Sequence, residues 1–226
     1  IQSMRGQAEW AVSPWTPRPM VASGQAINAN AEGTVRLELF MPTGFPAGLP
    51  VPMVAMMLDQ QNRRVNYNGQ LVGEHSITMK RGVGSGLLQQ VQSKKYIFKA
   101  GLLSVDKTIT VDNSQWQAVQ GTVAKATIWK KDSRIHVTSN LTIPKDAALT
   151  IQQGCVIKLA PKIEVTVLGK LTIEGTRETP VVFCPETPSA PWGGITLRGD
   201  SASAEARWTF VTGSGGNPWW FVANSI

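Results

Sequence analysis

The sequence predicts an all-β chain in two parts, a β-sandwich followed by the first coils of a right-handed parallel β-helix. Three observations carry this expectation. Apolar residues alternate with a period of two and nowhere sustain a helical period. Between residues 33 and 111, short apolar runs are separated by Gly, Pro and Asn turn signals at regular intervals. Beyond residue 135, a Leu-Thr-Ile unit recurs, as expected of stacked repeats.

Residues 1–32 hold Trp10, Trp15, Pro14, Pro17 and Pro19, then the small polar run Ala22 to Ala31. They are expected to form an extended arm without a core of its own. In residues 33–111, Val35-Arg36-Leu37-Glu38-Leu39 has the alternation of a half-buried strand. Pro42, Gly44, Pro46 and Gly48 mark a loop, Met53 to Leu58 a central strand, and Asn68-Gly69 a hairpin turn. Ile77-Thr78-Met79 and Tyr96-Ile97-Phe98 suit further strands, with the glycine-rich Gly82 to Gly86 between them. Residues 112–134 are assigned to a linker, with Trp116 and Trp129 packing at the junction.

Residues 135–226 carry the repeats. Asn140-Leu141-Thr142-Ile143, Ala148-Leu149-Thr150-Ile151 and Lys170-Leu171-Thr172-Ile173 are variants of one unit, and Leu149 to Leu171 spans one coil. Each strand has an aliphatic face and a face of Thr, Lys or Glu, so an isolated coil cannot bury its apolar side. Stacking is expected to align Leu141, Leu149, Ile157, Val165 and Leu171 in a continuous core. Gly154, Gly169, Gly175 and Gly193 are expected at corners, where positive φ is useful.

Two resemblances follow from these residues. Residues 33–111 resemble bacterial immunoglobulin-like surface domains in pattern. The stretches NLTIPKDAALTIQQGCVIKL, VLGKLTIEGTRETPVVF and APWGGITLRGDSASAEARWTFVTGSGG, within residues 135–216, resemble β-helix segments of large bacterial secreted and surface proteins. In those proteins the β-helix often accompanies immunoglobulin-like domains and sometimes a spore-coat-type kinase module. The resemblance implies a secreted or cell-surface setting. It leaves function open, because the architecture serves lyases, hydrolases, adhesins and scaffolds alike.

Composition narrows the classes. Hydrophobic residues are 42% and charged residues 16% of the 226, which suits a packed β protein and argues against disorder. The net charge of +7 is spread along the chain, with no nucleic-acid motif gathering it. The longest apolar stretch, Val51 to Leu58, is strand-length and contains Pro52, so no membrane span is expected. The chain opens on Ile1 and shows no signal peptide, so a secreted location implies that one was removed or lies outside this sequence.

No catalytic residue, metal site or cofactor is expected. β-Helix hydrolases need paired carboxylates, and the outward acids Glu164 and Glu174 lie on different strands without a third acid. His75 and His136 each lack a ligand partner at metal spacing. Gly82 to Gly86 lacks the Gly-Lys-Ser/Thr ending of a phosphate loop and is expected to be a turn. Asn140-Leu141-Thr142 is a glycosylation triplet, but Leu141 belongs to the core. With Lys158 facing outward, alternation puts Cys155 inside and turns Cys184 outward, so no disulfide joins them.

Trp192, Gly193, Gly194 and Trp208 are expected to be structural, with Trp192 covering a corner and Trp208 alternating with Phe210. Trp219, Trp220 and Phe221 are assigned to an interface or a glycan contact. Asn217 to Ile226 look like the start of another coil, covered by another subunit or a downstream segment. The leading functional reading is a non-enzymatic structural or adhesive component of the bacterial cell envelope or an extracellular assembly. The alternatives are the non-catalytic front part of a carbohydrate-active β-helix enzyme, or a carbohydrate-binding module whose partner is polysaccharide.

Overall fold

The computed structural model describes residues 35–89 and 91–215. The expected arm at 1–32 and the Trp219-Trp220-Phe221 cluster lie outside the described residues. Among the described residues every regular element is a strand.

The first part holds β1 (Val35–Phe40), β2 (Gly44–Pro46), β3 (Val51–Asp59), β4 (Gly69–Leu71), β5 (Ile77–Met79), β6 (Val83–Leu88), β7 (Lys94–Ala100) and β8 (Leu103–Asp112). Strands β1, β3 and β6 make one antiparallel sheet, and β2, β8 and β7 a second. Leu37, Leu39, Met53, Ala55 and Met57 from the first sheet meet Phe45, Phe98 and Ile109 from the second in one apolar core. The alternation in β1 and β3 is what puts these side chains on a single face.

Three local expectations are corrected here. The Gly82 to Gly86 run is not a turn: Val83–Leu88 is strand β6, paired with β3. Its glycines serve close approach, because a Cβ on Gly84 would lie 2.9 Å from the Thr78 carbonyl oxygen. The hairpin turn falls at Asp59 to Asn62 rather than Asn68-Gly69. Asp59 Oδ1 accepts from the amides of Gln61 and Arg63, and Asn62 adopts φ 63°. Gly44–Pro46, within the expected loop, forms β2, which pairs in parallel with β8.

The second part holds β9 (Gln117–Thr122), β10 (Ala126–Trp129), β11 (Arg134–Ile143), β12 (Ala148–Gln152), β13 (Val156–Leu159), β14 (Glu164–Val167), β15 (Lys170–Glu174), β16 (Val181–Pro185), β17 (Gly194–Leu197), β18 (Ser203–Arg207) and β19 (Thr209–Val211). Every pairing among them is parallel, the signature of a β-helix. The first half of β11 stacks on β13, β16 and β19, its second half on β14 and β17, and β10 stacks on β12, β15 and β18. Leu149 pairs with Leu171 one coil on, as the repeat spacing requires.

The inward row includes Leu141, Leu149, Ile157, Val165 and Leu171, each 3% exposed or less. Burying one such side chain is worth about 1.5–3 kcal/mol, so each added coil stabilises the last. The parallel ladder starts at Gln117, inside the stretch assigned to a linker. Its strands escape notice because β9 is largely exposed and lacks alternation. Trp129 is 5% exposed and packs inside the first coil, while Trp116 stays at the junction.

Of the four corner glycines, only Gly154 has positive φ, at 74°. Gly169, Gly175 and Gly193 are small for another reason. A Cβ on Gly169 would sit 2.1 Å from the Pro144 carbonyl oxygen, and one on Gly175 2.3 Å from that of Trp208. Coil stacking therefore brings backbone directly over these residues. Gly169→Ala should cost about 1–3 kcal/mol of stability, measured as a shift in the urea midpoint, because the clash is with backbone that cannot swing away.

Cys155 lies in the β-helix interior and Cys184 on the opposite face of the same wall; both are free. The outward Cys184 is nonetheless only 1% exposed, because the first part covers it. Burial pushes its thiol up to about 12 and raises that of Cys155. Both thiols should react with a disulfide reagent only after denaturation, and the chain's mass should be unchanged by reductant.

Candidate functional site

Two faces of the β-helix wall decide what the molecule can present. The outward residues of β11, β13 and β16 form two rows. Arg134, Val156 and Val182 stand in register in one, and His136, Lys158 and Cys184 in the other. Val156, Val182 and Cys184 join the core of the first part. The two parts thus share apolar packing across this flank.

Arg134 is the buried charge at this seam, with its side chain 4% exposed. Its Nη2 donates to Asp112 Oδ2 at 2.6 Å and its Nη1 to the Gly154 carbonyl at 2.7 Å. Burial alone would raise the Asp112 carboxyl, but hydrogen bonds from Arg134 and Ser114 hold it below the usual carboxylate value. The pair tethers the end of β8 to the start of β11. A polar cleft of about 620 Å³ opens beside it, lined by Thr43, Thr108, Thr110, Asp132 and Thr179 among others. Asp132 there adopts φ 60°.

Further along the wall, coil stacking gathers residues far apart in sequence. His136 Nε2 lies 3.0 Å from Glu186 Oε1. Lys158 Nζ stands 4.3 Å from the centre of the Trp116 ring. Burial lowers the His136 pKa, with the Glu186 charge opposing the effect and Lys158 adding to it. This patch can donate and accept hydrogen bonds. Sequence reading treated His136 as alone. The signal was there: His136 and Lys158 are one coil apart, and register makes them neighbours.

The other expected site residues are distributed as follows. Glu164 and Glu174 fall on separate sheets, in β14 and β15. Glu164 faces Arg198 at 3.7 Å, and Glu174 stands in register with Arg207. Among the described residues, no three His, Cys, Asp or Glu side chains group as metal ligands. His75 is half-buried in the bend between β4 and β5. Asn140 is exposed, and its Oδ1 accepts from the Glu164 amide.

Trp192 is fully buried, stacks on Phe183 with centroids 6.3 Å apart, and donates from Nε1 to the Thr212 carbonyl at 2.8 Å. It is thus an interior residue rather than a cover. Gly193 passes under the Ile163 carbonyl, and Gly194 takes φ 147°. Trp208, at φ 45°, stacks on Phe40 of the first part with centroids 5.7 Å apart.

The seam makes a stability prediction. Asp112 has a lowered folded pKa, so its contribution is present above the ordinary value of 3.8 and is lost as pH falls through the lower folded value. Asp112→Ala should destabilise the chain by about 3 kcal/mol at neutral pH, by leaving Arg134 buried and unpaired. It should also flatten the fall in stability below pH 4; urea unfolding of both proteins across pH measures this.

Neither the curated proteins nor the solved structures compared with this chain gave a match. Residues 121–214, less than half of the chain, match the family model of the pectate-lyase-like beta helix domain, and to that family this part of the chain is similar.

Proposed function

We propose that this chain is a non-enzymatic structural or adhesive component of the bacterial cell envelope or of an extracellular assembly, with its first part an immunoglobulin-like sandwich. The observation that carries this reading is the shared core. The wall of β13 and β16 is covered by the chain's own first part through Val156, Val182 and Cys184. A flank used for packing is not open for a polymer to lie along. Two of the β-helix acids, Glu164 and Glu186, stand beside Arg198 and His136 respectively. Such an arrangement suits a stiff module that holds its shape under load.

The second reading is the non-catalytic front part of a carbohydrate-active β-helix enzyme, or a carbohydrate-binding module. The similarity of residues 121–214 to the pectate-lyase-like domain favours it. That fold houses lyases and hydrolases as well as proteins without activity.

The readings differ in what the purified chain does. Incubated with acidic and neutral polysaccharides, it should release neither new reducing ends nor unsaturated products. Turnover that disappears in Glu164→Gln or Glu174→Gln would overturn the proposal. The shared core also implies mechanical unity: scanning calorimetry should show one cooperative transition, not two. Two separated transitions would mean the parts are independent modules.

A further inference from the structure

The polar cleft beside the Arg134–Asp112 pair is built from both parts of the chain. Its volume of about 620 Å³ is that of a small-molecule site, and such sites gather where two parts of a protein meet. One wall is the outer face of β8. Thr108, Thr110 and Asp112 stand at alternate positions there, on the side turned away from the core residue Ile109. Both threonines are exposed, and among the described residues neither hydroxyl has a hydrogen-bond partner. Gly44 of β2 stands in register beside Thr110, and a Cβ built on it would meet nothing within 4 Å. The space over β2 is therefore open.

The β-helix supplies a second wall. Asp132 is exposed there, and its Oδ1 takes the place that a side chain on Gly154 would fill. Pro42 and Pro180 add apolar rings to the lining. Thr43 and Thr179 also line the cleft, but their hydroxyls are engaged with the Glu178 carbonyl and the Thr176 hydroxyl. The groups left to meet a ligand are thus the β8 hydroxyls and the Asp132 carboxylate.

Their chemistry selects the ligand. A carboxylate offers two acceptor oxygens, and a threonine hydroxyl both donates and accepts. Neighbouring hydroxyls on a sugar ring present the matching donors and acceptors, and its C–H surface packs on apolar rings. Charge narrows the choice further. Arg134 is already paired with Asp112, so Asp132 leaves the lining negative and a carboxylated or phosphorylated ligand is repelled. A single exposed carboxylate holds a cation only weakly, because solvent screens the pair.

We infer that this cleft binds a neutral saccharide through Thr108, Thr110 and Asp132. The inference rests on the adhesive reading above and gives that adhesive module its class of ligand.

An NMR titration of the full chain tests this, with maltose, cellobiose and lactose as neutral probes and galacturonic acid and glucosamine as charged ones. A neutral disaccharide should shift the amide signals of Thr108, Thr110 and Asp132, and should bind more tightly than either charged sugar. Thr110→Val removes one hydroxyl at nearly constant shape and should raise Kd about tenfold. Gly44→Gln puts a side chain into open space at a position without left-handed φ, so it should abolish binding while the urea midpoint stays unchanged. Binding that survives both variants, shifts confined to other surfaces, tighter binding of a charged sugar, or no binding of any neutral probe would each overturn the inference. Chemical conversion of a bound sugar would instead sink the non-enzymatic reading and leave the site in place, so the two fail separately.

Discussion

A strand in a parallel β-helix has one face in the coil interior and one outside, and the outside is ordinarily polar. In β13 and β16 the outer positions are instead mostly apolar, with Val156, Val182 and Cys184 beside the single charged Lys158. Exposed, they would leave an apolar stripe along the wall. Covered, they fix where the first part sits, and Arg134, Asp112, Trp116 and Arg177 follow from that placement. The rest of the molecule depends on this stripe. Without it the two parts would be joined by polar and ring contacts at its edges and by the chain between β8 and β9.

The apolar stripe sets position loosely, because hydrophobic contact is non-directional. The polar contacts around it supply direction. Arg134 reaches both the Asp112 carboxylate and the Gly154 carbonyl, one on each side of the seam. Elsewhere along the seam, Thr43 donates to the Glu178 carbonyl and Arg177 to Glu38. A buried ion pair contributes little net stability over an apolar pair of the same shape, but its geometry admits few alternatives. The seam combines an adhesive layer that tolerates sliding with fixed points that forbid it. Together they hold the two parts in one arrangement, which is what the proposed structural or adhesive role asks of them.

Coil stacking also explains why the surface is chemically mixed rather than concentrated. Each coil contributes one or two outward side chains to any row, so a cluster needs suitable residues at the same place in successive coils. His136, Lys158 and Glu186 meet by this route, while Glu164 and Glu174 do not, being on different walls. The same stacking demands small residues where backbone crosses backbone. That is why Gly169 and Gly175 are glycine despite ordinary φ.

The β-helix was legible in the amino-acid sequence because its information is local and repeated. Period-two alternation gives the strands and their faces, and the Leu149-to-Leu171 interval gives the coil. The inward Cys155 and outward Cys184 followed from the same alternation. Its limits were equally physical. Strand β9 has no alternation to detect, and β6 hides behind glycines chosen for their neighbours in β5. Above all, alternation says that Val182 and Cys184 point away from the coil, but not what they meet there. Burial of that outer face, the pairing of Arg134 with Asp112 across the seam and the stacking of Trp208 on Phe40 join residues with no shared local pattern. Only the tertiary structure decided them, because they depend on how two independently patterned surfaces come together.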